Sequence, residues 1–264
     1  MTGAPGGFRL SRSLRRAAIV ALPAGAAVLA GCADYAITVQ GVPLDRWSEA
    51  VSPAVADGGS GREAARSNDR GVLLEREGDL EGALRQYRLA LESDPAFVTA
   101  WINTGNVYLK LTNPPEAVRC YRRALELDPD NPRALNNLAW VQLGRKDDPV
   151  GAPGRIPEAI ALLERAIAAD PDRRYLYLDS LGWALYLDGK TAEAIAVLSE
   201  ALEKTPPGED YLLAETHFHL GVVRKDRGER AEAIAHFQES LKRAPGTERK
   251  REINALLQQL SDEK

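Results

Sequence analysis

The chain repeats one spacing of small, apolar and proline residues five times, and this repetition limits the folds that it can adopt. In each copy a glycine or alanine is followed 12 residues later by an alanine, then by an aromatic residue or leucine, a small or apolar residue, and a proline. The third copy has eight extra residues after its first position. The five sets are Gly71, Ala83, Tyr87, Ala90, Pro95; Gly105, Ala117, Tyr121, Ala124, Pro129; Ala139, Ala159, Leu163, Ala166, Pro171; Gly182, Ala194, Leu198, Ala201, Pro206; and Gly221, Ala233, Phe237, Leu241, Pro245. Such a repeat is typical of a protein built by stacking copies of one small unit.

Each copy contains two stretches with the period of an α-helix. The stripe of the first stretch consists of Trp101, Gly105, Tyr108 and Thr112 in the second copy. The stripe of the second stretch consists of Ala117, Tyr121, Ala124 and Leu125. Both follow the spacing that puts apolar side chains on one helix face. Because a glycine inside a helix costs about 0.5–1 kcal/mol relative to alanine, its recurrence at this position indicates close packing between helices.

The five copies resemble the tetratricopeptide repeat, whose pattern is W-x2-L-G-x2-Y followed by A-x3-F, A and P. The resemblance implies an all-α, right-handed superhelical solenoid of five helix pairs, with the first helix of each pair lining a concave face. It places the pairs at residues 64–97, 98–131, 132–173, 175–208 and 214–247. A stack of this kind needs a polar-faced end. The stripe of Ile253, Leu256, Leu257 and Leu260 among charged residues predicts a capping helix in residues 248–264.

The family resemblance also indicates which side chains line the groove. The expected ligand residues are Asn106, Asn136, Trp140, Asp179, Trp183 and Tyr186. Large aromatic rings beside amides suit an extended peptide or a protein partner, because the rings bury area and the amides pair with a peptide backbone. Two alternatives stay open: the asparagines are part of the scaffold, or the tryptophans pack between helices.

A second recognition mode of the family is less favoured by this sequence. Some members bind acidic C-terminal peptides with a carboxylate clamp, which requires lysines and arginines on the first helices. Asn68 and Asn106 fit that clamp in part, but Asp179 stands where positive charge is needed. The segment GRKDDPVGAPGR (144–155) splits the third pair and is predicted to be a loop, either a tolerated insertion or a contact for a partner.

The N-terminal segment predicts export and lipid anchoring. Residues 1–31 contain Arg9, Arg12, Arg15 and Arg16 but no acid, and an apolar run from Ala17 to Ala30 follows. This order is typical of a signal peptide, and the 14-residue run is shorter than the roughly 20 residues of a membrane-spanning helix. Leu29-Ala30-Gly31-Cys32 resembles the bacterial lipobox, which implies cleavage before Cys32 and acylation of that residue. A plain signal peptide with an incidental cysteine is the alternative.

Residues 32–63 then form the lipidated cysteine and a tether, because prolines and the run Gly58-Gly59-Ser60-Gly61 interrupt any long pattern. In enteric-type bacteria an Asp after the lipid-bearing cysteine retains a lipoprotein in the inner membrane. Here Ala33 occupies that position. The resemblance therefore implies an outer-membrane lipoprotein that faces the periplasm.

Several function classes are disfavoured by composition and motifs. Without residues 1–31 the chain has 30 basic and 38 acidic residues, a balance of −8 that argues against nucleic acid as a partner. The sequence contains no GxSxG, HExxH, CxxC or Walker motif, so we predict no enzyme, no cofactor and no metal. Cys120 has no nearby histidine to act as a base and is expected to be a small core residue.

These features together predict a membrane-anchored periplasmic scaffold that binds a peptide or protein partner in its groove. The family resemblance suggests assembly of an envelope machine, such as a pilus or secretion system, or adaptor work for envelope enzymes. The alternative is an accessory lipoprotein of polysaccharide biosynthesis or export, in which Trp140 and Trp183 stack on sugar rings.

The lipobox hypothesis is tested by the substitution Cys32→Ser. The variant is expected to lose acylation and to accumulate as precursor or at the wrong site, because the modified sulfur is absent. Intact-mass spectrometry of the mature protein measures this directly. An unmodified Cys32 thiol in the wild-type protein would contradict the prediction.

Overall fold

The computed structural model describes residues 59–144, 155–246 and 249–262, and these residues are helical throughout apart from short connections. The signal peptide, Cys32, nearly all of the tether and most of the 144–155 loop lie outside the described residues. The described α-helices are α1 (Ser60–Glu77), α2 (Leu80–Ser93), α3 (Val98–Lys110), α4 (Pro114–Leu127), α5 (Pro132–Leu143), α6 (Ile156–Ala169), α7 (Tyr175–Leu187), α8 (Thr191–Lys204), α9 (Asp210–Asp226), α10 (Arg230–Arg243) and α11 (Lys250–Asp262). A single 3-10 turn (Pro171–Arg173) precedes α7.

Successive helices pair as α1–α2, α3–α4, α5–α6, α7–α8 and α9–α10, and each pair packs on the next. The expected all-α solenoid of five pairs with a C-terminal helix is thereby confirmed. Two helices are longer than the sequence pattern indicates. Helix α1 begins at Ser60, inside the segment assigned to the tether, and α9 begins at Asp210 rather than near residue 214.

Proline marks the end of each second helix. The prolines at 95, 129, 171, 206 and 245 each stand two residues after the last residue of α2, α4, α6, α8 or α10. A proline lacks the backbone donor and disfavours helical geometry in the residue before it. The prolines in the sequence therefore predict where the second helix of each pair ends.

The turn inside four of the pairs uses one residue with a positive φ, seven positions after the recurring small residue of the copy. Gly78, Gly189 and Gly228 hold φ values of 85°, 80° and 75°. In the second pair the same position is Thr112, with φ 56°. A side chain with a branched Cβ is uncommon in this region, so Thr112 is a strained substitute for glycine.

Two helices approach closely at the small residue of each copy. A Cβ placed on the glycine of α1, α3, α7 or α9 would lie 2.5 or 2.6 Å from the side chain 16 positions later in the partner helix. The pairs in question are Gly71 with Tyr87, Gly105 with Tyr121, Gly182 with Leu198, and Gly221 with Phe237. In the third pair Ala139 takes this position and is fully buried. The alanines at 83, 117, 159, 194 and 233 are also fully buried, since the second helix approaches the first through them.

Helix α11 covers the open face of the fifth pair. Ile253 and Leu260 are buried in a cluster with Phe218 and Phe237. Arg249 lies over the Phe218 ring at 4.4 Å from its centre, and its Nε donates to Glu215 at 2.9 Å. This contact closes the stack with a polar outer surface, as a terminal repeat requires.

Cys120 lies in the core of the second pair. It is 1% exposed, and burial together with the nearby Glu116 carboxylate raises the pKa of its thiol. The thiol therefore stays protonated, as expected for a core residue rather than a nucleophile. Among the residues that the structure describes, no helix has both the length and the apolar character needed to cross a membrane.

The close contact at Gly182 gives a stability prediction. Gly182→Leu is expected to lower the free energy of unfolding by about 3 kcal/mol, because its side chain collides with Leu198 in a packed interface. Gly61→Leu is the matched control: it lies in α1, has no atom within 4 Å of its Cβ position, and should be neutral or stabilising by up to about 1 kcal/mol. Urea denaturation of both variants measures the difference. Equal stabilities would show that the glycine is not a packing requirement.

Candidate ligand groove

The first helices of the pairs, α1, α3, α5, α7 and α9, carry all of the expected groove residues. Asn106 is on α3, Asn136 and Trp140 are on α5, and Asp179, Trp183 and Tyr186 are on α7. Asp179 is buried, whereas the other five are half-buried. The groove surface is therefore made of side chains that are partly packed between neighbouring helices and partly open.

A buried acid–imidazole pair joins the fourth and fifth helix pairs. The Nδ1 atom of His219 on α9 lies 2.9 and 3.0 Å from the two carboxylate oxygens of Asp179. Asp179 is 6% exposed and His219 is 1% exposed. Asp179 therefore orients an imidazole ring across the junction between the fourth and fifth pairs, and its role as a ligand residue stays a prediction.

Sequence reasoning overlooked His219, although a positional signal was available. His219 stands two residues before Gly221, just as Asn103 stands two residues before Gly105. Asn103 also bonds backwards across a junction: its Nδ2 donates to Oδ1 of Asn68 on the preceding first helix, at 2.9 Å. In both copies, the polar residue at this position contacts a polar side chain on the first helix of the preceding copy.

His219 anchors the two groove tryptophans. The Trp183 ring stacks on the imidazole with centres 4.5 Å apart, and Trp140 meets the imidazole edge-on at 6.0 Å. Both indoles also pack against the buried cluster of the third and fourth pairs. Trp140 and Trp183 are therefore partly packed between helices, as one of the two alternatives for the groove residues holds. Part of each ring is still exposed.

Tyr186 extends this aromatic cluster. Its ring lies 5.1 Å from that of Trp183, and its hydroxyl donates a hydrogen bond to Asp226 on α9. Burial and the adjacent Asp226 carboxylate raise the pKa of the Tyr186 hydroxyl. The phenol therefore stays neutral and fixes the ring at the junction. We call Trp140, Trp183, Tyr186 and His219 the aromatic cluster.

The asparagine side chains in the N-terminal half of the groove form hydrogen bonds with the core and with each other. Oδ1 of Asn106 accepts from the Tyr121 hydroxyl at 2.7 Å and from Nδ2 of Asn137 at 2.8 Å. The ring of Tyr121 is the one packed under Gly105, so the core residue positions the groove residue. Asn136 donates to Asn137 at 3.3 Å, and its own buried oxygen accepts no hydrogen bond from another described residue.

The N-terminal half of the groove contains a pocket of about 380 Å³. It is lined by Asn68, Val72, Glu75 and Arg76 of α1, Thr99, Asn103, Asn106 and Lys110 of α3, and Arg133 of α5. These helices are the first helices of three successive pairs, so the pocket belongs to the same surface as the aromatic cluster. Apart from Val72, the residues that line this pocket are polar or charged, whereas the C-terminal half of the groove contains the aromatic cluster.

The remaining histidines form a separate contact inside the fifth pair. Nδ1 of His217 lies 3.0 Å from Nδ1 of His236, and both rings are half-buried. Burial, reinforced by His236, lowers the pKa of His217 to about 4, and burial also lowers the pKa of His236. Across the described ranges 59–144, 155–246 and 249–262, no three His, Cys, Asp or Glu side chains are grouped to hold a metal ion.

Family models of the tetratricopeptide repeat match this chain over most of the helical region. The matched residues are 98–131, 68–111 with 151–209, and 120–152. Together they span residues 68–209, which is more than half of the 264 residues.

Individual relatives share this region at modest identity. The probable UDP-N-acetylglucosamine--peptide N-acetylglucosaminyltransferase SPINDLY of Hordeum vulgare is 31% identical over 147 residues, covering 53% of this chain and 14% of SPINDLY. The chain spans less than a third of the length of the first curated relatives that it matches.

Two solved structures have a similar fold. The type IV pilus biogenesis factor PilW has a TM-score of 0.61 at 23% identity, with 75% of this chain and 88% of PilW covered. PilF of Pseudomonas aeruginosa has a TM-score of 0.60 at 20% identity, with 77% of this chain and 86% of PilF covered. At these identities the likeness establishes the fold.

The histidine pair predicts a pH dependence of stability. An unfolded histidine titrates near 6.5, whereas folded His217 titrates at about 4. The unfolded state therefore binds more protons between these pH values, and the free energy of unfolding falls as the pH drops from about 6.5 towards 4.

Urea denaturation at several pH values measures this slope. The double variant His217→Gln, His236→Gln is expected to have a shallower slope than the wild type, since both titrating groups are gone while the carboxylates remain. Identical slopes in the two proteins would contradict the assignment.

Proposed function

Because this chain belongs to the tetratricopeptide-repeat family, whose stacked helix pairs form extended concave binding surfaces, we propose that it is a membrane-anchored adaptor of the bacterial envelope. Its groove would hold an extended segment of a peptide or protein partner. The role is that of a scaffold, and the chemistry of any reaction belongs to the partner.

The observation that carries this proposal is the aromatic cluster, whose His219 is held by Asp179. The indoles of Trp140 and Trp183 are half-buried, and His219 holds them in place through the contacts described above. Aromatic side chains that are fixed before binding lose little conformational entropy and contribute much of the affinity in protein interfaces. The cluster therefore has the properties of a binding centre.

A peptide fits this cluster better than a glycan. A sugar ring stacks on an open indole face, but one face of Trp183 is covered by His219 at 4.5 Å and its ring is also close to Tyr186. The asparagines of α3 and α5 lie on the same side of the stack and suit a peptide backbone. Polysaccharide export remains the second hypothesis for the protein, with glycan binding as its test.

The proposed setting rests on the N-terminal sequence and on the relatives. The lipobox-like segment ending at Cys32 supports attachment to a membrane, and Ala33 supports the outer membrane. PilW, which shares the fold, is a type IV pilus biogenesis factor. We therefore propose that the partner belongs to an envelope complex such as a pilus or secretion system, with an envelope enzyme as the other candidate.

The double variant Trp140→Ala, Trp183→Ala tests the groove. It is expected to weaken partner binding at least about thirtyfold, as for removal of central aromatic residues of an interface. Each single change should cost about 1–3 kcal/mol of stability, between the values for exposed and for fully buried tryptophans. The partner is first isolated from detergent-solubilised envelope with the wild-type protein, and its affinity for each variant is then measured.

Trp101→Ala is the matched control. Trp101 is 6% exposed and donates from Nε1 to the Pro95 carbonyl, so its loss destabilises the protein without altering the aromatic cluster. Retained binding in this control with loss in the double variant supports the proposal. Equal binding by all three proteins, or capture of a glycan in place of a protein, would overturn it.

A further inference from the structure

Two histidines of the fifth pair meet through their ring nitrogens, at a place that the aromatic cluster does not use. Nδ1 of His217 on α9 lies 3.0 Å from Nδ1 of His236 on α10, and one of the two rings donates this hydrogen bond. The ring centres are 5.2 Å apart, so the imidazoles meet at their nitrogen edges and do not stack face to face. Both rings are half-buried. The pairing of α9 and α10 thus places two donor nitrogens side by side, within reach of solvent.

The separation of the two nitrogens is that of neighbouring ligands on one metal ion. Zinc binds an imidazole nitrogen at about 2.0–2.1 Å, so two ligands of a tetrahedral site lie about 3.3 Å apart. In a square-planar site, which suits Cu²⁺, adjacent nitrogens at the same bond length lie about 2.9 Å apart. The observed 3.0 Å lies between these two values. An ion in place of the shared proton therefore requires little movement of either ring.

The rings are also in the protonation state that a metal ion requires. Burial, reinforced by His236, lowers the pKa of His217 to about 4, and burial also lowers the pKa of His236. Both imidazoles are therefore neutral at pH 7, and each has one nitrogen that carries a free lone pair. A change of tautomer in the donating ring turns both Nδ1 lone pairs towards an ion without net release of a proton.

The charges around the pair are close to balanced. The charged side chains that act on the two rings are Arg224, Glu232, Glu239, Lys242 and Arg243. Each of the three cations forms an ion pair with a carboxylate. Glu232 is exposed, stands one helical turn before His236, and forms no hydrogen bond or ion pair with another described residue. Its carboxylate therefore remains to attract an ion and to accept hydrogen bonds from water bound to that ion.

We propose that His217 and His236 bind a divalent transition metal ion, with water in the remaining coordination positions. Imidazole is a ligand for Zn²⁺, Ni²⁺ and Cu²⁺, and Cu²⁺ is bound most tightly of the three. Among the described residues no third His, Cys, Asp or Glu is grouped with this pair, so the protein supplies two ligands. The ion links α9 to α10 in the pair that α11 covers, and this role is separate from that of the groove.

The sequence motifs, which predicted no metal, did not reveal this pair. The two histidines are 19 residues apart in the chain. They lie on different helices, outside any of the short spacings by which metal ligands are recognised in a sequence. Only the antiparallel packing of the two helices brings their side chains together.

Isothermal titration calorimetry tests the proposal with ZnCl₂ and CuCl₂ as probes. The full chain is purified in detergent without a histidine tag and is freed of metal with EDTA. The wild type is expected to bind one ion, with Cu²⁺ bound more tightly than Zn²⁺. The double variant His217→Gln, His236→Gln should bind both ions at least about tenfold more weakly, since loss of a residue that only orients a ligand already has effects of this size.

Pulsed EPR of the Cu²⁺ form identifies the ligands independently of affinity. The wild type should show two equatorial imidazoles, and each single variant should show one. The matched control is Glu158→Gln with Glu164→Gln, which removes two exposed carboxylates of α6 in the third pair and retains both histidines. Its affinity for Zn²⁺ should change less than about threefold, because exposed charges far from an ion are screened.

A stability measurement shows whether the ion is bound by the folded protein. Zn²⁺ should raise the urea midpoint of the wild type but not that of the double variant, since an ion that binds only the folded state stabilises it. Equal affinities of these two proteins, or a Cu²⁺ spectrum of the wild type without two imidazoles, would overturn the proposal. A comparable loss in the carboxylate control would assign the ion to surface acids and overturn it as well. The tryptophan variants test the groove separately.

Discussion

The close approach of two helices at one small residue is the contact on which this structure depends. At Gly71, Gly105, Gly182 and Gly221 the partner side chain occupies the space where a Cβ would otherwise lie. The contact brings the second helix against the first and sets the inclination at which the next pair can stack. Because each pair buries its apolar face only against its neighbours, the stack is stabilised by repetition of this contact.

The same contact links the core to the groove. The ring of Tyr121 packs under Gly105, and its hydroxyl donates a hydrogen bond to Asn106. In the same way the ring of Tyr87 packs under Gly71, and its hydroxyl donates to Glu75. A ring in the interior thus determines the orientation of a polar side chain on the binding surface. In the first two pairs the core therefore orients polar side chains of the groove directly.

The architecture could be derived from the sequence because its determinants are local. The helical period, the recurring small residue and the proline after each second helix are visible in one copy and confirmed by the next. The site was harder to derive, because it depends on which side chains meet between copies. His219 meets Asp179 and Trp183 only after two first helices are placed side by side, so the burial of Asp179 and the packing of Trp183 could not be predicted from periodicity.

The hydrogen bonds between successive first helices also determine how the solenoid deforms. Asn68–Asn103, Asn106–Asn137 and Asp179–His219 each span one junction on the binding side. Each of the two amide–amide bonds contributes about 1 kcal/mol, little more than thermal energy, while the apolar contacts behind them are far larger. The binding side of the stack is therefore held together less strongly than the apolar core, and a ligand that replaces one of these hydrogen bonds can alter the spacing of two first helices without disrupting the core behind them.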